Sequence, residues 1–404
     1  MKNTPIDSKL AGQSNERLIL SLLREHGQLS QTQLCRMISL GSSTASSIVS
    51  RLRDKGLIIE TRGQSERRGP KPVLLKINPA AHYVIGIEIN PSYVFMGLFD
   101  FTGGLAETRK ITLSAGHSVE LVVEAVGRVF PELAAVCNNG SGNGKLLGAG
   151  VTVSGSVANG TVLLSSPMGW SQVPLKAMLA ERLKCAVAVY GTRVRLLAEM
   201  AQTPGLQSQN ILYLNVANGV GATVYMEGRL MTGTTGRFGE VGHIIVEPDG
   251  PMCGCGHKGC LEAMISGPAL AKRIRNDIQR GEKTVLAERL KGVNAKTPEE
   301  IVALWGGAVR EKDAYAITVR EFVASHLSRA AAMSINAFDP DTVLLGGYVC
   351  RQCAEYLAES IRKAMQEQVY DATRRDIQIT AARCGEEALI TGVAMATLRN
   401  TLTI

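Results

Sequence analysis

The stretch that decides the fold reads Gly239-Glu240-Val241-Gly242-His243 and then, after residues 244–252, Cys253-Gly254-Cys255-Gly256-His257-Lys258-Gly259-Cys260-Leu261-Glu262. Three thiols and an imidazole within eighteen residues, with glycines that permit sharp reversals between the thiols, are the donor set of a tetrahedral zinc site. The expected ligands are His243, Cys253, Cys255 and Cys260. His257 competes for the nitrogen position, but its place in the tight loop between Cys255 and Cys260 favours an outward side chain. Protein donors fill all four positions, which leaves none for a catalytic water, so one structural Zn2+ per chain is expected. Nine Cys at uneven spacing in 404 residues do not make a disulfide framework. Cys350-Arg351-Gln352-Cys353 stands without the surroundings of a redox motif and receives no role.

Around this stretch the chain alternates Gly-rich strands with helices. Strands are expected at Val84–Glu88, Tyr93–Phe99, Leu105–Leu113, Leu147–Val153, Val187–Tyr190 and Ile211–Val216, and helices over 118–136, 174–184, 267–281, 299–309 and 313–337. This is an α/β body with parallel strands. The loop 138–144 (Asn-Asn-Gly-Ser-Gly-Asn-Gly) is read as a flexible surface connection.

The first eighty residues differ in charge. Of 44 Lys/Arg and 36 Asp/Glu in the chain, 13 and 6 lie in residues 1–80, a net of +7 out of +8. A compact basic segment on a neutral body suggests a nucleic-acid module. Leu18, Ile19, Leu22 and Leu23 set a helix from Asn15 to His26 that stops at Gly27. Ser30 and Gln33 form a capping box for a second helix that buries Leu34, Met37 and Ile38. After the Leu40-Gly41 turn, Ser42 or Ser43 caps a third helix, which ends at Lys55-Gly56. Its apolar stripe is Ala45, Ile48, Val49 and Leu52. The opposite face carries Ser43, Ser46, Ser47, Ser50 and Arg51, small hydroxyls that let a helix sit deep in a major groove. Strands at 57–60 and 73–77 then flank a basic loop over 61–72, a wing behind a helix-turn-helix. Arg67, Arg68 and Lys71 on that stiffened loop suit a narrow minor groove. Double-stranded DNA is the expected partner.

The chain is 45% hydrophobic and 20% charged, with no run near the roughly 18 apolar residues of a membrane span. No apolar leader marks the charged first thirty residues, so a cytoplasmic protein with reduced thiols and no membrane partner is expected.

A winged helix followed by Gly-Glu-Val-Gly-His and Cys-Gly-Cys-Gly-x-x-Gly-Cys-Leu-Glu resembles the ROK family (repressor, open reading frame, kinase), in its repressor branch controlling sugar-utilisation genes. The resemblance runs from about Ser14 to the C-terminus. It includes 148–155, Trp170 with Val173-Pro174-Leu175, Leu197-Ala198-Glu199, Asn218-Gly219-Val220-Gly221-Ala222, and Asp339-Pro340 before Leu345-Gly346-Gly347. It implies a two-lobed, actin-like (ribonuclease H-like) fold assembled as a homodimer or homotetramer. The implied division is a winged helix-turn-helix over 1–80 and a small lobe over 81–190 completed by a C-terminal helix at 385–404. A large lobe over 191–384 would hold the zinc loop and the oligomerisation helices. It further implies that Glu240, His243 and Glu262 contact a sugar.

The same resemblance exposes two departures. The family's kinases carry Glu-Asn-Asp-Ala-Asn ahead of the Leu-Ala-Glu run, and the Asp is the base that deprotonates the sugar hydroxyl. Counting back from Glu199 puts Tyr190 at the Asn position and Gly191 at the Asp position. The kinases' phosphate turn, Asp-x-Gly-Gly-Thr, is here Glu88-Ile89-Asn90-Pro91-Ser92, with one amide donor lost to proline and both glycines gone. Met168 stands where many relatives have Asn. The expectation is a non-enzymatic, DNA-binding regulator of carbohydrate-utilisation genes, a repressor whose body senses a sugar, a sugar derivative or a partner protein. The alternative is a sugar kinase with a DNA-binding appendage.

Overall fold

The computed structural model describes residues 8–62, 73–114, 118–137, 144–165, 167–203, 205–291, 297–385 and 387–401. They fall into two units, Met1–Pro204 with Cys384–Ile404, and Gly205–Arg383. No helix among the described residues is long and apolar enough to cross a membrane.

The first unit begins with α1 (Ser8–His26), β1 (Gln28–Leu29), α2 (Gln31–Ile38), α3 (Ser42–Asp54), β2 (Ile58–Arg62) and β3 (Val73–Ile77). The Ser30–Gln33 capping box opens α2 as expected, because each side chain satisfies the other residue's backbone donor. α3 corrects its expected start. Gly41 occupies the N-cap and no side chain caps it, which leaves the Ser42 and Ser43 hydroxyls on the surface. Met37, expected in the core, is 46% exposed, since Leu34 alone fills the buried face of this short helix. Ala45, Ile48, Val49 and Leu52 are buried as the stripe requires. The wing also gains a strand: β1 joins β3 and makes the order β1-β3-β2.

The passage from the wing to the body is short and ordered. Asn78 donates from Nδ2 to the Gly56 carbonyl at 2.8 Å and accepts from the Ala80 N–H at 3.2 Å. Arg24 of α1 donates to the Phe101 carbonyl at 3.1 Å, and burial pushes its guanidinium down to about 10. The winged helix is thus seated on this lobe.

The lobe's sheet comprises β4 (His82–Asn90), β5 (Tyr93–Asp100), β6 (Leu105–Thr112), β7 (Lys145–Val153) and, after the hairpin sheet β8 (Ser156–Ala158), β9 (Thr161–Ser165) and β10 (Trp170–Val173), β11 (Val187–Tyr190). Its order is β11-β7-β4-β5-β6. β4, β5 and β6 are antiparallel, and β7 and β11 add in parallel. α4 (Val119–Val136) and α5 (Leu175–Leu183) pack on one another. α6 (Arg195–Gln202) packs against α14 (Ala388–Thr401), which is why the unit boundary falls after residue 204 and not at 190.

The second unit repeats the plan. β12 (Ile211–Val216), β13 (Val220–Met226), β14 (Arg229–Leu230), β15 (Thr342–Gly346) and β16 (Gln378–Ala381) follow the order β14-β13-β12-β15-β16, a three-stranded antiparallel meander extended by two parallel strands. α7 (Leu261–Ile265) follows the thiol-rich loop, and then come α8 (Gly267–Gln279), α9 (Val285–Leu290), α10 (Pro298–Arg310), α11 (Ala314–Phe338), α12 (Gly347–Cys350) and α13 (Ala354–Gln368). Trp305 is fully buried in their core and donates to the Ala316 carbonyl at 2.9 Å.

Candidate metal centre and nucleic-acid interface

In the second unit the loop 244–260 is folded by its own backbone. Val246 N–H bonds Gly259 O at 2.9 Å, Leu261 N–H bonds Ile244 O at 2.9 Å and Cys253 N–H bonds His257 O at 2.8 Å. Gly259 sits at φ +71°, and a Cβ there would lie 1.6 Å from the Glu247 carbonyl oxygen, so no other residue fits. α11 fastens the loop from outside through Arg329, which donates to Val246 O at 3.0 Å.

This folding brings together one ligand atom from each of His243, Cys253, Cys255 and Cys260, all within 4.8 Å of one another. Cys253 Sγ lies 3.7 Å from His243 Nδ1, and Cys255 Sγ lies 3.6 Å from Cys260 Sγ. A tetrahedral ion with bonds of about 2.3 Å to sulfur and 2.0–2.1 Å to nitrogen has edges of roughly 3.6–3.8 Å. The donor set therefore fits such an ion in size as well as in chemistry. His257 does not join the cluster; its Nδ1 lies 3.6 Å from Cys255 Sγ. Together with the His257 backbone N–H it holds the Cys255 thiol down at about 6. Burial pushes Cys260 up to about 12 and raises Cys253 as well.

Glu240 and Glu262 lie at the two ends of this assembly. Glu262 Oε2 accepts the Val220 N–H at 2.9 Å, which fixes it beside the turn before β13. Glu240 precedes the short turn Val241–His243 and is exposed. The sequence reading had missed β13 and this tie.

The first unit carries Glu88–Ser92 and Gly191, the positions that the family resemblance sets against a kinase's phosphate turn and base. Pro91 and Ser92 make the hairpin between β4 and β5, and Asn90 Oδ1 accepts the Ser92 N–H at 3.1 Å. Glu88 is buried and accepts from Tyr93 OH at 3.1 Å. Gly191 faces nearly open space, where an added Cβ meets only Gly155 O at 3.3 Å. Tyr190 OH accepts from Asn400 of α14 at 2.8 Å, and Met168 packs against the lobe's apolar core. Glu199, quoted above only as part of a motif, is buried and accepts the Cys384 N–H at 2.9 Å.

On the winged helix, Ser43, Ser46, Ser47 and Arg51 are exposed on α3 and Ser50 is half-buried. Ser46 accepts from Gln31 Nε2 at 2.7 Å, Ser47 accepts from Arg51 at 3.1 Å, and Arg51 pairs with Glu16 at 2.9 Å. Arg67, Arg68 and Lys71 lie outside the described residues.

A profile of the ROK family matches residues 84–400, and one of a winged helix-turn-helix DNA-binding domain matches residues 13–59. The chain is 26% identical to a putative xylose repressor of Caldicellulosiruptor sp. (strain Rt8B.4), over 96% of each chain. It is 29% identical to a glucokinase of Thermotoga maritima, over 77% of this chain and 96% of the relative. A crystal structure of a ROK family transcriptional regulator, homologous to the E. coli MLC protein, superposes with a TM-score of 0.80 at 25% identity, covering 97% of this chain and 98% of that one.

Proposed function

The chain belongs to the ROK family, and from that premise we propose that it is a DNA-binding transcriptional repressor of carbohydrate-utilisation genes, released or engaged by a sugar-class effector. The observation that carries this reading is the winged helix seated on a body whose phosphate turn is closed by its own Asn90. The glucokinase relative matches the body alone, whereas the xylose repressor matches the winged helix as well.

In this reading Ser43, Ser46, Ser47 and Ser50 of α3 face the major groove, and Arg67, Arg68 and Lys71 reach the minor groove. Glu240, His243 and Glu262 hold the effector's hydroxyls. His243, Cys253, Cys255 and Cys260 hold one structural Zn2+, which when bound supplies a cross-link and no open coordination site. With Nδ1 turned to the thiols, His243 Nε2 is left to donate to an effector oxygen, and the metal site thereby orients an effector contact. The protein acts as a homodimer or homotetramer on paired half-sites.

Phosphoryl transfer is not part of the function. It requires a positioned base and a cradle of amides, and Gly191 and the Asn90–Ser92 turn supply neither. The test is selection of genomic fragments by the full chain, followed by challenge with a sugar panel. The expected result is a recurrent operator whose retention one sugar class changes. Absence of salt-dependent affinity for any fragment, or an ATP turnover near the roughly 1 s⁻¹ at which enzymes begin, overturns the reading.

A further inference from the structure

α3 carries two cations, Arg51 and Arg53, and Lys55 caps its end; each of the three meets a carboxylate. Glu16 of α1 receives two of them, Arg51 at 2.9 Å and Lys55 at 2.8 Å, and its own side chain is only 16% exposed. The third, Arg53, reaches Glu60 on β2 at 3.0 Å, with side chains 52% and 43% exposed.

Magnitudes separate the two arrangements. An exposed single pair contributes about 0–1 kcal/mol, so a phosphodiester can take Arg53 from Glu60 at little loss. Drawing Arg51 away would leave a carboxylate that is only 16% exposed with Lys55 as its one remaining cation, a larger loss than an exposed pair gives up. Arg53 is the cation that α3 can release.

Its surroundings suit a phosphate. A hollow of about 210 Å³ opens between α3 and the wing, rimmed by Gln31, Ser46, Ser50, Arg53 and Glu60 over an apolar floor. Ser50 accepts from the Arg53 guanidinium at 3.4 Å, and Gln31 donates to Ser46. The hollow lies between the helix read as entering the major groove and the strands of the wing, where a DNA strand running from one to the other would cross it. Hydroxyls, an amide and one releasable guanidinium are what a backbone phosphate requires.

We propose that Arg53, released from Glu60, grips a backbone phosphate of the operator in this hollow, while Arg51 stays on Glu16 as a brace between α3 and α1. The inference rests on the DNA-binding reading above and deepens it. Glu60 competes with the phosphate for one guanidinium, so it lowers affinity for every duplex alike and carries no base information.

The test measures binding of the full chain to a mixed-sequence duplex of roughly three helical turns by fluorescence anisotropy across a salt series. Arg53→Ala should flatten the slope of log K against log salt by about one unit, and Arg53→Lys should retain it. Glu60→Gln should tighten binding several-fold with the slope kept. Arg51→Ala should lower the melting midpoint, since it removes the brace to Glu16. A wild-type slope in Arg53→Ala, or the lost unit appearing in Arg51→Ala, overturns the proposal while DNA binding itself stands. A wild-type chain with no salt-dependent affinity for the duplex overturns both.

Discussion

Under the proposed function the second unit holds a metal, so its removal is the sharpest perturbation available, and Cys255→Ser is the cleanest way to weaken the site. Cys253 and Cys260 are buried, so a serine hydroxyl in either place would destabilise the fold on its own account. Cys255 is exposed, and its replacement takes away a ligand and almost nothing else. The cross-link that the metal would supply closes an eighteen-residue loop from His243 to Cys260. A metal bound by the folded unit alone, at about 100 times its dissociation constant, stabilises that unit by about 3 kcal/mol. For a unit of the size of Gly205–Arg383, each kcal/mol corresponds to roughly 2–4 °C, so metal loss should lower the midpoint by about 6–12 °C. Calorimetry of the chain before and after chelation, and of Cys255→Ser, should show that drop in one transition and leave the other near its place. Elemental analysis should find about one Zn per chain in wild type. Purified, folded protein without metal, or a chelator that leaves both midpoints unmoved, would refute the reasoning.

Further outcomes concern the remaining surfaces. Gly191→Asp should fold, since the added Cβ meets little, and should still show no ATP turnover because Asn90 holds the Ser92 amide; steady-state turnover against hexoses and pentoses checks it. Ser46→Ala and Ser47→Ala should change which sequences are preferred without altering the salt slope, read by competitive selection from a randomised duplex. Burial first, and then Lys145, hold the His82 imidazole below its ordinary 6.5 in the fold. The unfolded chain therefore takes up the proton first, and stability should be full above pH 6.5 and fall as pH drops toward the folded value. His82→Phe, which keeps the edge contact with Phe101, should flatten that part of the denaturant midpoint-versus-pH curve.

Much of the winged helix was legible because local rules decide it. A capping box fixes its helix start from four residues, and Ala45, Ile48, Val49 and Leu52 recur at helical spacing in a helix too short for any other face to be buried. The errors lie where tertiary packing decides. Met37 continues the apolar pattern of α2, but Leu34 already fills the contact and Met37 is left outside. β1 is two residues long and exists only because β3 offers it an edge. The pairing of Arg51 with Glu16, thirty-five positions apart in sequence, carries no periodic signal at all. The cluster of His243, Cys253, Cys255 and Cys260 could be read because short-range glycine turns confine it, with one exception of principle. The choice of His243 over His257 depends on the folding of 244–260 as a whole, through Gly259 against Glu247.

The glycines of the body show why fold and chemistry separate in such a chain. A Cβ on Gly86 would lie 2.2 Å from the Ile390 carbonyl oxygen, and one on Gly150 would lie 2.1 Å from Thr397 Oγ1. Both glycines let α14 lie directly on β4 and β7. That requirement comes from helix-on-sheet packing and is indifferent to whether a phosphate is ever bound. The positions at 191 and 90–92 stand apart from that contact: a Cβ on Gly191 would meet only Gly155 O, at 3.3 Å, and the Asn90–Ser92 turn closes on itself. Glycine runs therefore persist with the fold, and their presence in a sequence argues for architecture alone. The residues that argue for or against catalysis are those the packing leaves free to change. Here the glycines under α14 and the buried Glu199 that receives the Cys384 amide hold the body together, and under the proposed function that body serves the winged helix as a sensor.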